Sequence, residues 1–278
     1  MINNRKISGK VIMAGAGPGD PELLSIKAAR YLQKADVILC DRLVSEEILT
    51  LYANENAEII FVGKQARAES STPQATINDL MIEYACRGKL VVRLKGGDVS
   101  IFSNILDELR ALVEHNIPYE IIPGITAALG AAAYSGIPLT ARDHSNAVRF
   151  LTYYKPGVIT DSYWKELAKT SDTLVFYMAG ELLDDLVAML VTNKIGKDKS
   201  LAVIEQATTP LQNVTIVSIQ DYTAQFQGRL FISPAIVIIG KVVALHAEFK
   251  WLENNSKREY YFEPVASKAG HATKKLIA

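Results

Sequence analysis

The sequence predicts an α/β protein made of two α/β domains, the first with a mostly parallel sheet and the second with a mixed one. Short β-branched runs alternating with helical patterns predict the parallel sheet, because strands joined by crossover helices produce that order. A glycine-rich turn between the first apolar run and an amphipathic stretch marks the place where such a sheet holds a ligand. A length of 278 residues with 49% hydrophobic side chains supplies two cores rather than one.

Taken in order, the expected strands of the first domain are Lys10 to Ala14, Asp36 to Cys40, Glu58 to Val62, Leu90 to Leu94 and Tyr119 to Ile122. Pro21 to Ala35 reads as a helix that puts Leu24, Ala28 and Leu32 on one face. Ser71-Thr-Pro73 opens another helix and Gly88 closes it. Beyond Pro123-Gly124, the alanine-rich stretch Ile125 to Tyr134 predicts a helix whose small side chains let it approach a sheet or a ligand closely. Strands follow near Val148 to Thr152 and Thr173 to Tyr177, then a helix from Gly180 with a stripe of Leu183, Leu186 and Leu190. Leu201 to Glu205 and Asn213 to Ile219 read as a hairpin, and Pro234 to Ile239 as a buried strand. The expected boundaries are residues 8–122, residues 123–252, and a polar tail over 253–278. The tail has no clear period, so it is either disordered or docked on a dimer partner.

Composition excludes several classes of function. Thirty basic and thirty acidic side chains cancel, so no global field favours nucleic acid or an anionic membrane. Two cysteines, Cys40 and Cys86, lack metal-ligand spacing and fit a reducing cytoplasm. His115, His144, His246 and His271 are equally scattered, so no metal is expected. Residues before Lys10 lack a signal peptide's apolar core, and no apolar run is long enough to cross a bilayer. A soluble, cytoplasmic protein is the expectation.

The turn Gly15-Ala-Gly-Pro-Gly-Asp-Pro-Glu-Leu-Leu24 departs from the dinucleotide fingerprint in an informative way. Its third glycine position is Asp20, and Pro18 removes a backbone donor. A carboxylate there repels phosphate and competes for the free N–H groups, so the turn suits a cationic or neutral ligand better and a nicotinamide dehydrogenase poorly. Asp20 as helix cap with Pro21 at the first helical position is the alternative reading. Three more clusters fall at expected strand ends: Asp41-Arg42, Gly63-Lys64 and Lys95-Gly-Gly-Asp98. Each alone reads as a cap, a solvated strand end or a turn, but open parallel sheets bind ligands along that edge, where all of them converge.

These motifs occur in a recognisable order. The glycine turn, Ala35-Asp-Val-Ile-Leu-Cys-Asp-Arg-Leu-Val44, Val62-Gly-Lys64, Val91-Val-Arg-Leu-Lys-Gly-Gly-Asp98, Ile122-Pro-Gly-Ile-Thr-Ala127 and Gly136-Ile-Pro-Leu-Thr140 resemble the uroporphyrinogen-III C-methyltransferases of the tetrapyrrole methylase superfamily. The resemblance continues through Thr173-Leu-Val-Phe-Tyr-Met178 and Ser233-Pro-Ala-Ile-Val-Ile-Ile-Gly240. It implies a homodimer with its active site in the cleft between the domains. It also implies that S-adenosylmethionine methylates uroporphyrinogen III to precorrin-2 through precorrin-1, the branch point toward sirohaem and cobalamin. The same likeness assigns Pro18, Gly96, Gly97, Asp98, Ile101, Thr126, Ala127, Met178 and Ala207 to the cofactor, Asp41 as proton acceptor and Lys64 as proton donor. For the carboxylates of the macrocycle, Arg42, Lys95, Asn104, Arg142 and Arg149 are the candidates by position. Some relatives carry a dehydrogenase and ferrochelatase module upstream, where this chain has only Met1 to Gly9. The later sirohaem steps are therefore expected of other proteins.

The chain also departs from the family pattern. The usual arginine of the segment after Asp98 is Asn104, the histidine before Arg142 is Ala141, a Gly-His pair is Tyr153-Tyr154, and a glycine is Ala207. Cofactor motifs thus survive better than substrate motifs. A sister methylase acting on another precursor, or a non-catalytic homologue that only binds the cofactor, remain the alternatives.

Overall fold

The computed structural model describes residues 9–63 and 73–262. Lys64 lies outside the described residues, as does the Ser71-Thr72 start of the expected helix.

The first unit runs β1 (Lys10–Gly15), α1 (Ile26–Leu32), β2 (Val37–Cys40), α2 (Glu46–Tyr52), β3 (Glu58–Phe61), α3 (Gln74–Cys86), β4 (Leu90–Lys95), α4 (Ile105–Glu114) and β5 (Tyr119–Ile122). Its five strands are all parallel, in the order β3-β2-β4-β1-β5. Because side chains alternate across a strand, Ile12, Ala14, Ile38 and Val92 pack beneath α1 and α2, while Val11, Met13, Leu39 and Val91 pack beneath α3 and α4. A parallel sheet covered on both faces needs the near-continuous apolar strands seen here.

The second unit runs α5 (Ala127–Ser135), β6 (Val148–Thr152), α6 (Asp161–Lys169), β7 (Thr173–Tyr177), α7 (Leu183–Thr192), β8 (Ser200–Glu205), β9 (Asn213–Ser218), α8 (Tyr222–Phe226), β10 (Ala235–Gly240) and α9 (His246–Phe249). The sheet order is β6-β7-β10-β8-β9, with β6 and β7 parallel and the remaining pairs antiparallel. The expected hairpin is β8–β9. Helices α6 and α7 cover one face around Trp164, Phe176, Leu186 and Val237. Helix α5 covers the other around Ala128, Ala131, Val175 and Ile238, so it joins the end of the first sheet to the face of the second.

Two elements differ from their expected form. Pro21 to Ala35 divides into a single 3-10 turn and α1, because Leu24 and Ser25 are extended and the Ser25 hydroxyl caps α1 by accepting from the Ala28 amide. Leu24, Ala28 and Leu32 are nevertheless all buried on the sheet. The polar tail is, through residue 262, part of the folded body. Asn254 holds Val214 of β9 by both its amide groups and Phe262 is buried.

Candidate active site

Three loops meet backbone to backbone above the first sheet. Gly17 and Gly97 exchange N–H···O bonds of 3.1 and 2.7 Å, and Ala16 donates to the Lys95 carbonyl at 2.8 Å. A Cβ on Gly15 would lie 2.6 Å from the Gly97 oxygen and 2.7 Å from Gly124, so the crossing admits no side chain. Asp98 fastens it, accepting from Ser100 at 2.7 Å and from Gly124 at 2.9 Å. Above Gly97 the nearest neighbours are the Ala127 amide and Thr126, 3.6 and 3.9 Å from where a Cβ would stand. Gly96, Gly97, Asp98, Thr126 and Ala127 therefore share one small, backbone-lined place.

The second unit closes this place from the other side. Tyr177 accepts from the Ala128 amide at 3.1 Å, and its hydroxyl lies 2.6 Å from that of Thr126, which ties β7 to the start of α5. Phe102 packs edge-on to Tyr177 at 4.9 Å, and Ile101 joins the same apolar cluster. Met178 follows directly, half-exposed and left-handed. Thr208 accepts from the Asp20 amide at 3.1 Å and crowds Gly19, which brings the loop containing Ala207 onto the glycine turn. Pro18 bears on α5 at Gly130, where a Cβ would meet it at 2.6 Å. Phe102, Asn104, Met178, Gln206 and Thr208 all have positive φ without being glycine. Strain of this kind persists only where surroundings enforce it, and it concentrates at binding sites.

Asp20 itself is a cap and a tie. It accepts from the Glu22 amide at 2.8 Å and from Tyr134 at 2.6 Å, and burial together with that carboxylate pushes the Tyr134 phenol up to about 12.

Charge enters from the first sheet. Alternation puts Asp41, Arg93 and Lys95 on the α4 side, where Glu108 is fully buried. Arg93 donates to Asp41 at 2.6 Å and to Glu108 at 2.8 Å, and Lys95 donates to the other Glu108 oxygen at 2.8 Å. Two cations and two carboxylates thus balance, as burial requires. Asp41 is the exposed end of the chain, 28% accessible and oriented by Arg93. Burial, together with Asp41, pushes the neighbouring Cys40 thiol up to about 12, so it is not a nucleophile.

Other expected substrate residues are dispersed. Arg42 follows Asp41 on the same loop, and Arg142 is exposed on the turn after α5. Asn104 is exposed and left-handed ahead of α4, a conformation asparagine tolerates better than most residues. Lys95 is directed at Glu108 rather than at the opening. Arg149 is bound to Asp172 at 2.6 Å and to Glu166, at the opposite end of β6 from Met178, so its place is structural.

Arg93, Glu108, Tyr177 and Thr208 were not singled out from the sequence. The signal for Arg93 was available: a charge inside the apolar run Val91-Val-Arg-Leu94 must find a buried partner. Among the described residues, no group of three or more His, Cys, Asp or Glu could hold a metal ion, and no helix is long and apolar enough to cross a membrane.

Residues 10–223 match the family described as Tetrapyrrole (Corrin/Porphyrin) Methylases. The chain belongs to that family. The chain is 44% identical over 244 residues to a siroheme synthase of Saccharophagus degradans, covering 88% of this chain and 53% of the relative. A Pseudomonas aeruginosa siroheme synthase is likewise 44% identical over 246 residues, covering 88% and 52%. The chain spans about half the length of these curated relatives. Among solved structures, uroporphyrin-III C-methyltransferase from Thermus thermophilus superposes with a TM-score of 0.72 at 32% identity, covering 88% of this chain and 98% of that one. The same enzyme complexed with S-adenyl homocysteine gives 0.69 at 31% identity, covering 85% and 100%. A cobalt precorrin-4 methyltransferase gives 0.74 at 25% identity, covering 84% and 95%. Two α/β units joined as here are thus the shared fold.

Proposed function

We propose that this methylase transfers methyl groups from S-adenosylmethionine to pyrrole carbons of uroporphyrinogen III, giving precorrin-2. The observation that carries the reading is the side-chain-free crossing of Gly15, Gly97 and Gly124, overlaid by Thr126, which is tied to Tyr177 of the second unit. Among the described residues, the groups gathered at the crossing are backbone amides and carbonyls with the Thr126 hydroxyl, which suits a sulfonium nucleoside better than a pyrophosphate. Bound there, the cofactor supplies an electrophilic methyl group already activated by positive sulfur.

What remains for the protein is placement. Holding both reactants in register contributes about 7 to 11 kcal/mol in well-oriented systems. Phe102, Tyr177 and Ile101 form an apolar wall for the adenosyl group to pack against. Asp41, which accepts from Arg93 at 2.6 Å, is the proposed acceptor, directly or through water, of the proton that the macrocycle loses from a position next to the newly methylated, now quaternary, carbon. Lys64, outside the described residues, is the proposed proton donor. Arg42 and Arg142 are the proposed partners of the substrate carboxylates.

Incubation with uroporphyrinogen III and methyl-labelled cofactor tests this, and the expected product carries label at two pyrrole carbons. Cofactor binding without label in uroporphyrinogen III, but with transfer to a later corrin precursor, would move the assignment to a sister methylase. Binding with transfer to neither would identify a non-catalytic homologue, a reading motivated by Asn104 in place of the usual arginine.

A further inference from the structure

The segment that follows α9 has an unexpected course. Asn254 both accepts from the Val214 amide at 2.7 Å and donates to the Val214 carbonyl at 2.8 Å, satisfying that residue on the open side of β9. Asn255 donates to the carbonyls of Gln212 at 3.2 Å and Pro210 at 2.7 Å, on the loop between β8 and β9. Arg258 donates to the Leu230 carbonyl at 3.0 Å. Gln206 then grips the segment from within: its amide nitrogen donates to the Glu259 carbonyl at 2.9 Å and its oxygen accepts from the Tyr261 amide at 2.6 Å. After these contacts with the second unit, the Tyr261 hydroxyl lies 2.7 Å from that of Ser45 in the first.

Both ends of that path touch the site. Gln206 is buried and left-handed, immediately ahead of Ala207 and Thr208, so its backbone sets the course of the loop that leans on the glycine turn. Ser45 is buried at the start of α2, on the loop that also carries Asp41 and Arg42. Serine at that position ordinarily caps its own helix, yet here the side chain makes no capping bond and pairs with Tyr261 instead. Phe262, packed edge-on to Tyr261 at 5.0 Å and buried, anchors the contact.

We propose that residues 254–262 form a strap across the two units, in which Tyr261 and Gln206 are positioning residues for the cofactor loop Ala207–Thr208. The strap rests on the function proposed above. It couples closure of the cofactor side to placement of the Asp41 loop through one hydroxyl pair. By reciprocity, whatever the strap does for cofactor affinity, the cofactor does for strap closure.

Calorimetric titration of the full chain with S-adenosylhomocysteine is the test, run on wild type, Tyr261→Phe, Ser45→Ala and the double variant. Each single substitution is expected to weaken binding about threefold to tenfold, the worth of one part-buried hydrogen bond, and the double variant to be no weaker than either. In turnover, KM for S-adenosylmethionine should rise and kcat should fall with it, because the same hydroxyl pair holds the Asp41 loop. Trypsin provides a measurement needing no substitution, since Lys257 and Arg258 are exposed within the strap, and saturating S-adenosylhomocysteine should slow cleavage there. Wild type that binds, with variants binding equally and cleavage unaffected, would overturn the strap alone. Wild type that does not bind at all would overturn both the strap and the proposed function.

Discussion

Replacing Glu108 by glutamine keeps the shape of the side chain and removes one buried charge from a set of four. Glu108 has no exposed surface, and Arg93 and Lys95, which both donate to it at 2.8 Å, are 2% and 5% exposed. Glutamine can offer its oxygen to only one of them, and its NH₂ group then faces the other cation. Asp41 still answers Arg93 at 2.6 Å, so the uncompensated charge is that of Lys95. Removing one partner from a buried pair costs about 3–5 kcal/mol. At about 2–4 °C per kcal/mol for a chain of this size, the unfolding temperature should fall by about 6–20 °C. Thermal and urea unfolding followed by circular dichroism measure it. Adding Lys95→Met to Glu108→Gln should recover part of the loss, because the ammonium that made glutamine a misfit is gone. A loss below about 1 kcal/mol, the range of surface pairs, or a double variant weaker than the single, would refute this account of the network.

Tyr177→Phe removes the hydroxyl that serves both Thr126 and the Ala128 amide, so it should cost about 1–3 kcal/mol by denaturant unfolding and weaken S-adenosylhomocysteine binding. Unchanged affinity would detach Tyr177 from the site. Gly15→Ala places a methyl against backbone at 2.6 Å, a contact no rotamer relieves, and should lower stability by about 1–3 kcal/mol or more. A fully stable alanine variant would contradict the crossing described. Asp41→Asn should reduce turnover of the proposed substrate about 10²-fold or more while leaving cofactor affinity unchanged. Hydrogen bonds from Lys10, Lys27 and Tyr31 hold the Glu120 carboxyl down at about 2, against an ordinary 4.5. A depressed pKa gives stability that is fully present above 4.5 and lost as pH falls through about 2. The unfolding temperature of Glu120→Gln should therefore lie below wild type at neutral pH and meet it near pH 2. A gap that persists to that pH would count against this ion cluster.

The strands were legible because period and composition carry them: alternation across β4 and the apolar runs of β1, β2 and β10 need no tertiary information. The break between Leu24 and Ser25 was hidden, since a helical face and a turn followed by a shorter helix bury the same Leu24, Ala28 and Leu32. The glycine turn announced its place but not its neighbours. That Gly15 meets Gly97 and Gly124, from three separate segments, is a property of strand order, which spacing alone does not encode. Cations were the hardest to read. Position relative to a strand end put Lys95 and Arg149 among the substrate residues, whereas carboxylates distant in sequence, Glu108 and Asp172, decide where they point. The polar tail misled for a related reason: asparagines that lack any period still hydrogen-bond a strand edge side chain to backbone.

Those asparagines have a further consequence for handling the protein. Strand β9 is the last of its sheet, and a cut after Glu253 that released Asn254 from Val214 would leave that residue's amide and carbonyl unsatisfied on the margin. Clipped material would then offer a docking template to its own kind, and storage losses would begin as polymerisation rather than as unfolding.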